Sequence, residues 1–129
     1  MQVIFAVSDV KRAAAFYEGV FGWPRNSRID YRNYVELHLD GGGTLGLYER
    51  TGFAGEVGAE PVDVPPTHVS PAYLYVRVDD VESTVARLEE AGARPLSPLV
   101  DRSWGERAAW FADPDRNLVA VAQAAAVVA

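Results

Sequence analysis

The sequence predicts an α+β fold made of two tandem copies of one small module, each a strand, a helix and then a strand pair. Three observations carry this. Val7-Ser8-Asp9-Val10 recurs as Val78-Asp79-Asp80-Val81, each time closing an apolar run and opening a helical pattern. Both helical patterns stop at a glycine, Gly22 and Gly92, with Pro24 and Pro95 soon after. Each copy then runs into alternating strands closed by an Asp-led turn. Such a duplication creates one concave region, the seam between the copies, and a functional surface is expected there.

Val3, Phe5 and Val7 alternate with Gln2, Ile4 and Ala6, which predicts a strand over residues 2–8. Asp9 is placed as an N-cap, and Val10, Ala13, Ala14, Tyr17 and Phe21 form a helical stripe ending at Gly22. From Tyr34 to Asp40, Val35, Leu37 and Leu39 alternate with Tyr34, Glu36 and His38. Gly41-Gly42-Gly43 turns this strand into a partner, Thr44 to Glu49. Within a single domain 1–129, residues 1–50 are read as module one, 51–70 as a linker rich in Gly, Pro and acidic residues without periodicity, and 71–129 as module two. Module two repeats the plan: strand Ala72 to Val78, N-cap Asp80, helical stripe Val81, Val85 and Leu88, stop at Gly92. Its strand pair, Arg107 to Ala112 and Leu118 to Gln123, is joined by Asp113-Pro114-Asp115-Arg116-Asn117, a turn with proline where φ near −65° is wanted. The Ala/Val tail after Gln123 carries no pattern.

A chain of 129 residues with 49% apolar content holds one core. Its apolar runs fall far short of the ~20 residues of a membrane helix, and no export signal is read, so no membrane partner is expected. The absence of cysteine excludes disulfides and thiolate metal sites and fits the cytoplasm. A net charge of −6 argues against nucleic acid, which needs clustered Lys and Arg, and favours a cationic ligand mildly.

The aliphatic strand faces must pack on the helices, so the opposite faces line something else. In module one those faces carry Gln2, Ile4, Tyr34, Glu36, His38 and Tyr48; in module two, Tyr73, Tyr75, Arg77, Glu106, Trp110 and Leu118. With Trp104 nearby, this set is rich in flat rings, which bury large area at little rotamer cost and suit stacking on a conjugated ligand. Glu36 and Glu106 need partners if buried, and Arg77 is the expected one. Alternation aims His38 inward, whereas His68 falls in the linker. Ser8, Thr44 and Ser103 have no recognisable base beside them, which disfavours a Ser/His/Asp hydrolase.

Val7-Ser8-Asp9 leading to Phe16-Tyr17 and Phe21-Gly22, Val78-Asp79-Asp80 leading to Ala91-Gly92, and Trp104-Gly105-Glu106-Arg107 followed by Asp113-Pro114-Asp115-Arg116-Asn117 together resemble the vicinal oxygen chelate superfamily of glyoxalases, extradiol dioxygenases and bleomycin-resistance proteins. Arg116 stands where glycine is usual in that turn. The resemblance implies two βαβββ modules forming a curved mixed sheet around a cleft, often completed by a homodimer. The metal-ligand positions of the family carry over to Gln2, Gly46, Tyr73 and Ala120. Gly46 and Ala120 offer no donor and a neutral tyrosine is a poor one, so neither metal nor other cofactor is expected. A displaced site using Glu36, His38 and Glu106 stays open.

The resemblance is nearest to the metal-free, drug-binding bleomycin-resistance type. It implies sequestration of a hydrophobic, aromatic or conjugated small molecule, such as a toxic natural product or antibiotic. Gln2, Tyr34, Glu36, His38, Tyr48, Tyr73, Tyr75, Arg77, Trp104, Glu106 and Trp110 are the expected ligand-binding residues, with no catalytic residue assigned. Two alternatives remain. One is an isomerase, lyase or ring-opening enzyme using His38 or Glu36 as acid or base, or a relocated metal; the other is a dimerising module with a closed cleft.

Overall fold

The computed structural model describes residues 1–29 and 31–126; the last residues of the Ala/Val tail, 127–129, lie outside them. The chain divides into two compact units, Met1–Asp63 and Val64–Ala129, called unit 1 and unit 2. Among the described residues, no helix is long and apolar enough to cross a membrane.

Unit 1 runs β1 (Gln2–Val7), α1 (Val10–Phe21), β2 (Tyr34–His38), β3 (Thr44–Glu49) and α2 (Arg50–Val57). Its sheet has the order β1-β3-β2, with β1 parallel and β2 antiparallel to β3. The Asp9 side chain accepts from the Arg12 amide, a cap that contributes about 1 kcal/mol, and Gly22 closes α1 at φ 70°. Val7, Leu37, Leu45 and Leu47 are fully buried on the sheet face that α1 covers with Ala13, Ala14 and Tyr17. The stretch before β2 runs beside it without forming a full strand. There the Asn26 amide donates to the Glu36 carbonyl, the His38 amide to that of Pro24, and Arg25 bridges Leu37.

Residues 50–57 are helical, where the sequence reading placed the start of a linker. α2 contains Gly52 and Gly55 and buries none of its residues, so no amphipathic stripe announced it. What starts it is local: the Glu49 carboxylate accepts from the amides of Thr51 and Gly52, and this holds Glu49 below its ordinary 4.5.

Unit 2 runs β4 (Tyr73–Arg77), α3 (Val81–Glu90), β5 (Arg94–Asp101), β6 (Glu106–Ala112) and β7 (Leu118–Ala124), in the sheet order β4-β7-β6-β5. Asp80 caps α3 by accepting from the Ser83 amide, and Val81, Thr84 and Leu88 are its buried face. The sequence reading missed β5, because Pro95 and Pro98 argue against a strand. The strand exists at an edge, where a missing amide costs nothing on the open side, and its pairing shifts register between Pro95 and Ser97 and again before Val100.

The β6–β7 turn forms as its residues dictate: buried Asp113 accepts from the amides of Asp115 and Asn117 through Oδ1. Arg116 sits at φ 65°, the one non-glycine residue at positive φ among those described. Unit 2 thus has the full βαβββ plan. In unit 1 the same plan is met with its second strand reduced to the bridge at Arg25.

Candidate ligand-binding site

The ladder of unit 1 sets Ile4, Gly46 and Glu36 in one row, Gln2, Thr44 and His38 in the next, and pairs Tyr34 with Tyr48. All face away from α1, as the alternation requires. Gly46 is the pivot. A Cβ there would lie 2.5 Å from the Tyr34 hydroxyl oxygen and 3.0 Å from Ile4 Cγ1, so the Tyr34 side chain occupies the space over bare backbone.

The Tyr34 hydroxyl accepts from Gln2 Nε2 (3.0 Å) and donates to Glu36 Oε2 (2.9 Å). Gln2 Nε2 also donates to that oxygen (2.8 Å), and Asn26 Nδ2 to Oε1 (3.3 Å). Glu36 is therefore held by three neutral donors. Arg77, the partner expected for these two glutamates, pairs with Glu106. Burial, reinforced by the hydrogen bond and negative charge of Glu36, pushes Tyr34 up to about 12, so it stays a neutral phenol.

Above this face lies an open cleft of about 600 Å3. The sheet contributes Ile4, Tyr34 and Tyr48, the two tyrosine rings meeting edge-to-face at 5.4 Å. The segment before β2 adds Tyr31 and Asn33, and α2 adds Phe53, Glu56 and Val57. Gly52 lets α2 approach, since a Cβ there would run into the Tyr48 ring. The sequence reading missed Phe53, Glu56 and Val57 with their helix; the available signal was Glu49 ahead of Thr51-Gly52 and a stop at Gly58, which sits at φ 84°. His38 is exposed at the end of β2 and is not among the residues lining the cleft.

The other expected site residues belong to unit 2 and form a cluster of their own. Trp104 Nε1 donates to the Tyr75 hydroxyl (2.8 Å), which donates to Glu106 Oε1 (2.9 Å). Arg77 grips both oxygens of Glu106, from Nε at 2.9 Å and from Nη2 at 3.3 Å, and its guanidinium lies 5.1 Å from the Tyr75 ring centre. Trp110 takes Tyr73 edge-on at 5.9 Å and Trp104 at 6.2 Å, with Arg102 4.9 Å over its ring. The Arg77 hydrogen bond, more than any other contact, holds Glu106 below its ordinary 4.5. Tyr73 and Trp104 stay 50% and 54% exposed, enough for a flat partner to reach them.

The residues present do not fit a metal at the positions the resemblance implies. Gly46 and Ala120 carry no donor atom; Gly46 lies under Tyr34, and Ala120 pairs with Tyr75 and Trp110 in the ladder. Among the described residues, no three His, Cys, Asp or Glu side chains are grouped to hold a metal ion.

TioX from Micromonospora sp. ML1 is 29% identical and covers 97% of this chain and 98% of its own at a TM-score of 0.67. A glyoxalase/bleomycin resistance protein/dioxygenase family enzyme from Burkholderia phytofirmans PsJN has the same fold at a TM-score of 0.81 and 20% identity, covering 96% of this chain and 97% of that one. YraH of Bacillus subtilis (strain 168) is 30% identical over 122 residues, 94% of either chain. Residues 2–121 match the Glyoxalase/Bleomycin resistance protein/Dioxygenase superfamily, and the chain belongs to it.

Proposed function

We propose that the protein binds and sequesters an aromatic or conjugated small molecule in the cleft of unit 1, without a metal. The observation that carries this reading is the cleft itself: about 600 Å3, walled by three tyrosines and a phenylalanine, above a glycine where the family positions a metal ligand. That volume suits a drug-sized ligand, and rings with a few polar groups are what such sites use. Among the described residues, the lining holds no serine, threonine or cysteine to act as a nucleophile. Calorimetric titration with a panel of conjugated compounds, followed by mass spectrometry of the recovered ligand, tests it. Saturable binding and unchanged ligand are expected; conversion of the ligand would overturn sequestration.

One observation favours the enzyme alternative. A carboxylate held only by neutral donors is not neutralised by a cation, and Glu36 is such a group. Turnover abolished by Glu36→Gln with binding intact would identify it as the acid or base.

A further inference from the structure

We infer that the ligand of the unit 1 cleft carries a positive charge, an aromatic or hydrophobic ammonium rather than a neutral or anionic ring system. The inference rests on the binding role proposed above. Among the described residues, no lysine, arginine or histidine lines the cleft, whereas Glu56 does.

Glu56 sits in the last turn of α2, and no basic residue shares that turn. The C-terminal end of a helix carries partial negative charge from its free carbonyls, so a carboxylate there is repelled by its own helix. Among the described residues no cation is paired with it. The free protein offers this carboxylate no cation, and a cationic ligand in the cleft would supply one.

A second, independent observation points the same way. Glu36, hydrogen-bonded to the Tyr34 hydroxyl, has only neutral donors and no cation against it. Tyr34 cannot offset it as a donor of charge, but its ring face, with those of Tyr31, Tyr48 and Phe53, is electron-rich and attracts a cation. An aromatic cleft with one carboxylate in its lining and another bonded to one of its tyrosines selects against anions by repulsion.

Three matched probes test this by calorimetry at neutral pH: naphthylmethylammonium, the corresponding naphthylmethanol and naphthoate. The ammonium is expected to bind roughly tenfold tighter than the alcohol, with naphthoate weakest, and rising salt should narrow the gap. Glu56→Gln, an exposed substitution whose folding is checked by its melting temperature, is expected to weaken the ammonium about threefold and leave the alcohol unchanged. Equal binding of ammonium and alcohol overturns the inference while leaving aromatic binding standing. A preference untouched by Glu56→Gln also overturns it, because the charge then acts from elsewhere. Binding by none of the three removes the proposed function together with the inference.

Discussion

In unit 1 the Glu36 carboxylate meets Gln2, Tyr34 and Asn26, all neutral, whereas in unit 2 Glu106 meets the Arg77 guanidinium with Tyr75 as second donor. Both lie on the sheet face turned away from their own helix. In unit 2 an arginine on that face neutralises the acid, and the rings around it are occupied with one another and with Arg77 and Arg102. In unit 1 a charge is left without a counter-ion beside a cleft. The central strands differ to match: Gly46 accommodates Tyr34 over bare backbone, and Ala120 fits between Tyr75 and Trp110 in its row. A duplicated plan has therefore yielded one self-satisfied cluster and one receptive surface.

The sharpest way to break this contrast is at the central strands. Gly46→Val drives a side chain into Tyr34 and Ile4 and is expected to cost about 2–3 kcal/mol, the range of overpacking, while Ala120→Gly costs about 1 kcal/mol. Urea unfolding midpoints measure both, and equal losses would dissolve the distinction.

Ligand affinity sharpens it next. Tyr48→Ala and Phe53→Ala should each weaken binding of naphthylmethylammonium by about 1–3 kcal/mol, the scale of one buried aromatic contact. Trp110→Ala should leave that affinity unchanged. Calorimetry on the three variants decides whether the unit 2 rings share the ligand.

The units also divide the pH response. As pH falls, the unfolded chain protonates Glu106 near 4.5 before the folded chain does, so the stability from its pair with Arg77 is complete above 4.5 and is lost on the way down through its lower folded value. As pH rises, the unfolded chain ionises Tyr34 near 10 while the fold retains that proton to about 12; this stability is complete below 10 and lost between the two. Glu106→Gln should flatten the acid limb of a melting-temperature profile. Tyr34→Phe should shorten the alkaline limb, the remainder belonging to Tyr75, which burial also raises.

The smallest effect is expected at the β6–β7 turn. Arg116→Gly relieves a left-handed backbone but frees the unfolded chain and removes a hydrogen bond to the Val64 carbonyl, for a net change within about 1 kcal/mol.

The sequence made the fold legible where periodicity and caps agreed: Asp9 and Gly22 bound α1, Asp80 caps α3, and Asp113 organises its turn as read. It hid the elements that violate local rules. Two prolines disguised β5, tolerable because an edge strand leaves one side unpaired, and two glycines disguised α2, tolerable because Glu49 caps it and Tyr48 needs the space at Gly52. Alternation found Tyr34, Glu36 and Tyr48, since a strand face is a local property. It could not find Phe53 or Glu56, which reach the cleft only because an unanticipated helix folds over the sheet, nor decide that Arg77 chooses Glu106 over Glu36.

Since α2 buries none of its residues, one wall of the cleft is fastened by the Glu49 cap, the approach to Tyr48 and the polar bonds of Arg50 to Pro61 and Asp63. A segment with so few apolar anchors opens at small free-energy cost, so its amides should exchange with deuterium well before those of α1, which is anchored by Tyr17 and Val20. Ligand that bridges Phe53 to the sheet would slow that exchange, making protection of residues 50–57 a reporter of occupancy that needs no knowledge of the ligand's identity. Affinity at this cleft would then include the cost of quieting a helix as well as the gain from its contacts.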